Sequence, residues 1–193
     1  MHQKLPSEIN QWPQFQGSPL DKLGLRERAL AFAPAFLKAN EQIWDGLRTK
    51  MFSLFPASID LSQGRFECLI GNLHYVDRLA FDILGGDPKR NWFFDPLIKE
   101  SIERIGACYP DDSAAQVVSD VVCGLLKKRS KEYATLDRCP MPNEHGGYAI
   151  SHSFSYKLSE YVIGTGNVDI CLYFEASWID FFVNGFKIYQ LLK

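Results

Sequence analysis

The sequence predicts an α+β fold: an N-terminal helical part of four to five helices packed on a C-terminal antiparallel β-meander of three or more strands. Three observations predict it. Between residues 18 and 138 apolar side chains recur at helical spacing. Between 148 and 163 they alternate, as on a half-buried strand. Further on, Asn184-Gly185, the preferred two-residue hairpin turn, separates two runs rich in β-branched and aromatic residues. The 193 residues read as one domain (1–193), with 1–17 an extended arm, 18–138 the helical part and 147–193 the sheet.

In the arm, Pro6, Pro13 and Gly17 disfavour regular structure, while Trp12 and Phe15 make it too aromatic for a purely disordered tag. Ser18-Pro19-Leu20-Asp21 then reads as a helix start: a capping serine, proline at the first helical position, an acid in the first turn. Pro34 is expected to interrupt that helix, because it lacks an amide donor and crowds the preceding turn. The spacing resumes through Leu37, Trp44, Leu47, Met51 and Leu54, and Pro56 and Ser62-Gln63-Gly64 punctuate it. Phe66, Leu69, Ile70, Leu73, Val76, Ala80, Ile83 and Leu84 share one helical face, which Gly85-Gly86-Asp87-Pro88 ends. Asp95-Pro96 opens the next helix, with Ile98, Ile102 and Ile105 on one side, and Tyr109-Pro110 stops it. Asp112-Ser113 starts the last, whose expected buried stripe is Val117, Val118, Val121, Val122, Leu125 and Leu126. Its basic end, Lys127 to Lys131, suits the negative pole of a helix dipole.

The long strand is expected over Tyr148 to Ile163, with Gly164-Thr165-Gly166-Asn167 turning the chain. On the return strand Ile170, Leu172 and Phe174 hold one parity, and Ile179, Phe181 and Val183 the other. A period of two changes parity only through an inserted residue, so a β-bulge is expected near Ala176-Ser177. A short helix over Trp178 to Val183, ended by Gly185, competes with this reading. The strand is preferred for the aromatic and β-branched residues on both flanks. Pairing about Asn184-Gly185 sets Val183, Phe181 and Ile179 opposite Phe186, Ile188 and Gln190 on an inner face. Trp178, Asp180, Phe182, Lys187 and Tyr189, with Leu191, share the outer one.

The common chemical signatures are absent. Gly164-Thr165-Gly166-Asn167 lacks the rest of a dinucleotide fingerprint, and no phosphate-binding Gly-Lys-Ser/Thr, nucleophile elbow, His-Glu-x-x-His or calcium loop occurs. Five cysteines, at 68, 108, 123, 139 and 171, are odd in number and widely spaced, so reduced thiols are expected and no disulfide framework. His145 and His152, near Cys139 and Glu144, have the right chemistry for a metal but match no common spacing. A surface turn for His145 and a buried, neutral His152 among Ile150, Phe154 and Phe181 explain them better. Glu67, His74 and Arg78, with Asp77 and Asp82 beside them, could do acid–base work if they lined a cleft. The solvated stripe of an amphipathic helix is the preferred account. No cofactor, metal site or catalytic residue is expected.

Lys and Arg number 21 against 23 Asp and Glu, for a net charge of −2. That gives no electrostatic reason to expect nucleic acid or an anionic membrane as partner, and the Lys127–Lys131 run is offset by Glu132 and Asp137. No apolar run is long enough to span a bilayer and the first residues lack a signal-peptide stretch, so a cytoplasmic protein is expected. The outer hairpin face is the one surface that solvation does not explain. Large rings among charges are what a binding patch contains, so Trp178, Asp180, Phe182, Lys187 and Tyr189 are the expected protein-binding residues, with a partly covered second core as the evenly matched alternative.

In size, in helices-then-sheet layout and in its lack of catalytic motifs, the chain resembles bacterial immunity proteins that block a cognate toxin. That resemblance implies a cytosolic binding module that neutralises a partner protein by one-to-one occlusion. The alternatives are a small enzyme with an unrecognised site around His74, His145 or His152, and a structural subunit of a larger assembly.

Overall fold

The computed structural model describes residues 24–109, 111–136 and 152–193, with the side chains of 152 and 153 excepted. All the regular structure among the described residues is helical. In order it comprises α1 (Leu25–Met51), a 3₁₀ turn (Phe52–Leu54), α2 (Leu61–Leu84), α3 (Lys89–Gly106), α4 (Asp112–Tyr133), α5 (His152–Ile163), α6 (Val168–Trp178), a π-helical turn (Ile179–Gly185) and α7 (Ile188–Leu192).

The central element is α2. The Asp60 carboxylate caps it by accepting from the Ser62 and Gln63 amides. Gly85, at φ 78°, ends it with its amide turned back to the Phe81 carbonyl. Fourteen of its 24 residues are buried, so almost its whole circumference is covered. It is packed by α1, α3, α4, α5 and α7. At Gly71 the Leu158 methyl groups of α5 stand 2.5 Å from where a Cβ would be, so glycine there sets how closely α2 and α5 approach. On α1 the buried residues Ala29, Phe32, Ala33, Phe36, Ala39, Ile43, Trp44 and Leu47 recur every three to four positions and face α3 and α6. The Arg28 guanidinium donates to the Leu191 carbonyl at 3.0 Å, tying the start of α1 to the last helix.

The predicted β-meander is overturned: the described part of 147–193 is helical, with no strand. The described end of the long strand is α5, where Phe154, Leu158 and Val162, four residues apart, are all fully buried. The return strand is α6, and its change of parity is a helical signature. Ile170, Phe174 and Trp178 are buried four apart, and Cys171 and Glu175 fill the positions between. A 3.6-residue period counted in twos slips by one every second turn, so no bulge is needed at Ala176-Ser177. Asn184-Gly185 closes the π-helical turn instead of a hairpin: the Phe186 amide donates to the Phe181 carbonyl five residues back, at 2.8 Å. A Cβ at Gly185 would lie 3.0 Å from the Asp180 carbonyl oxygen, so glycine there serves this turn. The third strand is α7, entered through Lys187 in the left-handed region at φ 48°.

Three smaller expectations also change. Helix α1 continues through Pro34, which is exposed and ends nothing. Gly64 lies in the first turn of α2, not in a loop, and α3 begins at Lys89, so Pro96 falls inside it. The arm, the Ser18-Pro19 helix start and residues 137–151, with Cys139, Glu144 and His145, lie outside the described residues, as does the side chain of His152.

Candidate functional site

The predicted binding face is not a face. Trp178 and Phe182 are one helical turn apart and both fully buried. The Trp178 ring stacks on Tyr75 (centroids 4.6 Å apart), Phe154 (5.1 Å) and Phe174 (5.8 Å), and its indole N–H donates to Asn72 Oδ1 at 2.7 Å. Phe182 stacks on Phe36 at 5.8 Å. Asp180 and Tyr189 are half-buried and Lys187 is exposed. The structure therefore divides these five residues between core and surface. The strand pairing that grouped them does not exist.

The polar residues of α2 behave in the opposite way. The solvated-stripe account fails, because Glu67, His74 and Asp77 are all buried. Glu67 points to α4, where the Arg129 guanidinium donates to its carboxylate from Nε and from Nη2, the latter at 2.5 Å. Arg129 also donates to Glu132, which accepts from the Tyr161 hydroxyl, and the guanidinium lies 3.3 Å from the centre of the Tyr161 ring. Burial opposes the charge on Arg129, but the two carboxylates outweigh it and hold its pKa above the ordinary arginine value. This network fastens α4 and α5 to α2.

Two turns further along α2 the stripe opens to solvent. His74, Asp77, Arg78, Phe81 and Asp82 line a cleft of about 240 Å³ with Arg90 from the first turn of α3 and Ala134 and Leu136 beyond the end of α4. The cleft exists because spacings of three and four set those five residues on one side of α2, while the turn after Gly85 brings α3 back beside them. Arg90 grips Asp77 with two donors, Nε to Oδ1 at 2.5 Å and Nη2 to Oδ2 at 2.6 Å. Its Nη1 has Asp87 at 3.8 Å, beyond hydrogen-bond reach. Burial raises the pKa of Asp77 and the arginines only partly reverse it, whereas the hydrogen bond to Asp77 raises that of Arg90.

Arg78 does two things. Its Nη2 donates to the Tyr133 carbonyl, satisfying the C-terminal end of α4. Its Nε donates to His74 Nε2 at 2.7 Å. An imidazole nitrogen that accepts carries no proton, so His74 is neutral with its hydrogen on Nδ1. Burial, reinforced by Arg78 and Arg90, lowers its pKa to about 3. With that lone pair occupied, His74 has no free base to offer a substrate.

Arg129, read with its neighbours as a solvated basic helix end, is buried instead; the signal that could have found it is that Val122, Leu126, Arg129 and Tyr133 follow one helical arc. No sequence signal marks Arg90. Among the described residues no group of three or more His, Cys, Asp or Glu side chains could hold a metal ion. No helix among them is long and apolar enough to cross a membrane. No family model, no curated protein and no solved structure matches the chain.

Proposed function

We propose that the protein acts by binding, and that its site is the cleft between α2, α3 and the end of α4. The ligand is a small molecule with a carboxylate or phosphate for the guanidinium of Arg90 and a compact apolar body for Phe81, Ala134 and Leu136. One observation carries this reading: Arg90, held by two hydrogen bonds to a buried carboxylate, is one of the residues that line the cleft. A guanidinium fixed in advance loses less side-chain entropy on binding than a free surface arginine. The volume is below the ~300–1,000 Å³ of drug-sized sites, which limits the ligand to a small metabolite. Binding is preferred over catalysis because His74 is neutral and already engaged. Partner occlusion drew its support from the aromatic strand face, and that support is withdrawn with the strands.

The test is titration of the ¹⁵N-labelled protein with benzoate, succinate and inorganic phosphate. Shifts confined to residues around Phe81, Arg90 and Leu136, weakened about tenfold in Arg90→Lys, are expected. Arg90→Lys keeps the charge but removes the two-pronged grip. Saturable shifts elsewhere, or none with any of the three, would overturn the proposal.

A further inference from the structure

A second cleft, of about 310 Å³, lies where α1, α2 and the end of α3 meet, and it shares no residue with the first. Its walls are largely apolar: Leu37 of α1, Phe66 and Leu69 of α2, Ile105 of α3 and, just past that helix, Tyr109. Three charged side chains stand among them, and their charges are matched. Arg65 donates from Nε and Nη2 to the Glu41 carboxylate, and Arg104 donates from Nε to Glu100 at 2.7 Å. The polar side chain buried in the wall is Asn40, only 2% exposed.

The core decides which way that amide faces. An indole N–H only donates, so the Asn72 atom that meets Trp178 Nε1 at 2.7 Å is its oxygen. The Asn72 nitrogen is thereby turned to Asn40, whose oxygen accepts from it at 2.8 Å. The Asn40 nitrogen is left on the side of Glu41, which belongs to the cleft wall. One of its two hydrogens goes to Glu41 Oε1, at an N···O distance of 3.3 Å, and the other has no acceptor among the described residues. A buried donor left unmatched costs its desolvation with no return.

We propose that this cleft binds a small, uncharged, mainly apolar molecule through a carbonyl group. The carbonyl oxygen accepts the second hydrogen of Asn40, and the apolar body lies against Phe66, Leu69 and Ile105. The same geometry selects against charged heads. Two acceptors on one amide nitrogen stand about 5 Å apart, so a carboxylate bound there would face the Glu41 carboxylate. An ammonium group carries only donors and gives the Asn40 nitrogen nothing, while Glu41 is already held by Arg65. The volume falls within the ~300–1,000 Å³ of small-molecule sites. This site is independent of the first cleft: a charged head is the requirement there and an uncharged one here.

The experiment is titration of the ¹⁵N-labelled full chain with hexanamide, hexanoate and hexylammonium, three heads on similar tails. Hexanamide should shift the side-chain amides of Asn40 and Asn72 and, through them, the Trp178 indole N–H, together with backbone amides around Leu69 and Ile105. The two ions should bind this cleft about tenfold more weakly. Asn40→Asp keeps an acceptor for Asn72 but removes the donor, so it should weaken hexanamide about tenfold. Cys108→Trp, at an exposed position of the same wall, should block the cleft without moving the melting temperature, and it decides the matter if Asn40→Asp does not fold. No hexanamide binding at these residues, hexanoate bound there as tightly as hexanamide, or binding indifferent to Cys108→Trp would each overturn the proposal. Hexanoate shifts around Phe81 and Arg90 belong to the first cleft and bear on that reading alone.

Discussion

His74 couples the cleft to pH through a single nitrogen. Its folded pKa, about 3, lies below the ordinary 6.5, because burial and two neighbouring arginines oppose the imidazolium. The unfolded chain therefore binds more protons between those values. Stability from this group is complete above pH 6.5 and falls as the pH drops from there toward 3, at up to about 1.4 kcal/mol per pH unit. Asp77, whose pKa is raised by burial, acts in the opposite sense just above the ordinary carboxylate value. Denaturant unfolding from pH 7 to 5 should show the loss, and His74→Gln should flatten it. An NMR titration placing the His74 pKa at or above 6.5 would remove the explanation. Tyr133 gives a second check. Its ring lies 4.7 Å from His74, and its buried hydroxyl makes no hydrogen bond among the described residues. An unpaired buried hydroxyl costs desolvation with no return, so Tyr133→Phe should leave stability unchanged or raise it by about 1 kcal/mol. A loss above ~1 kcal/mol would show a partner for that hydroxyl.

At the scale of elements, the long helices were legible and the short ones were not, for a physical reason. Helices α1 and α2 run over 27 and 24 residues, enough turns for a 3.6-residue period to separate from a two-residue one. In α5 and α6, with 12 and 11 residues rich in aromatic and β-branched side chains, propensity argues for strand while packing decides for helix. Phe154, Leu158 and Val162 carried the helical signal, but the alternation of smaller residues around them concealed it. The α2 stripe was also visible in sequence. What sequence could not supply was its burial, which depends on α3 returning beside it through Gly85. The assignment of Trp178 to the core has a direct test. Trp178→Ala should cost about 3–5 kcal/mol, because it empties the stack between Tyr75, Phe154 and Phe174 and strands the Asn72 carbonyl. Phe181→Ala, at a half-buried position, should cost less. The outer-face reading required the reverse order, so thermal melts of the two variants separate the structures.

Over the whole molecule, stability is distributed around α2. Every other helix packs on it, α6 through Trp178, whereas α4 buries only Val122, Arg129 and Tyr133 of its 22 residues, none of them before Val122. Before Val122, α4 leans on α3 without a single buried side chain, and Val117 and Val121 face solvent. Its later turns are pinned by Glu67 on Arg129 and by Arg78 on the Tyr133 carbonyl. Local opening follows buried contact, so hydrogen exchange should be slowest along the middle of α2 and fastest in the first three turns of α4. Arg129→Ala should extend the fast region to the end of α4 and lower global stability by about 3–5 kcal/mol, because it leaves the fully buried Glu67 carboxylate without its partner. Since Ala134 and Leu136 form one wall of the cleft, the same variant should also weaken any ligand bound there, although Arg129 does not line it. If exchange in the last turns of α4 stays slow in Arg129→Ala, then the carbonyl caps from Arg78 hold that wall alone, and the buried ion pair serves only the α2–α4 contact.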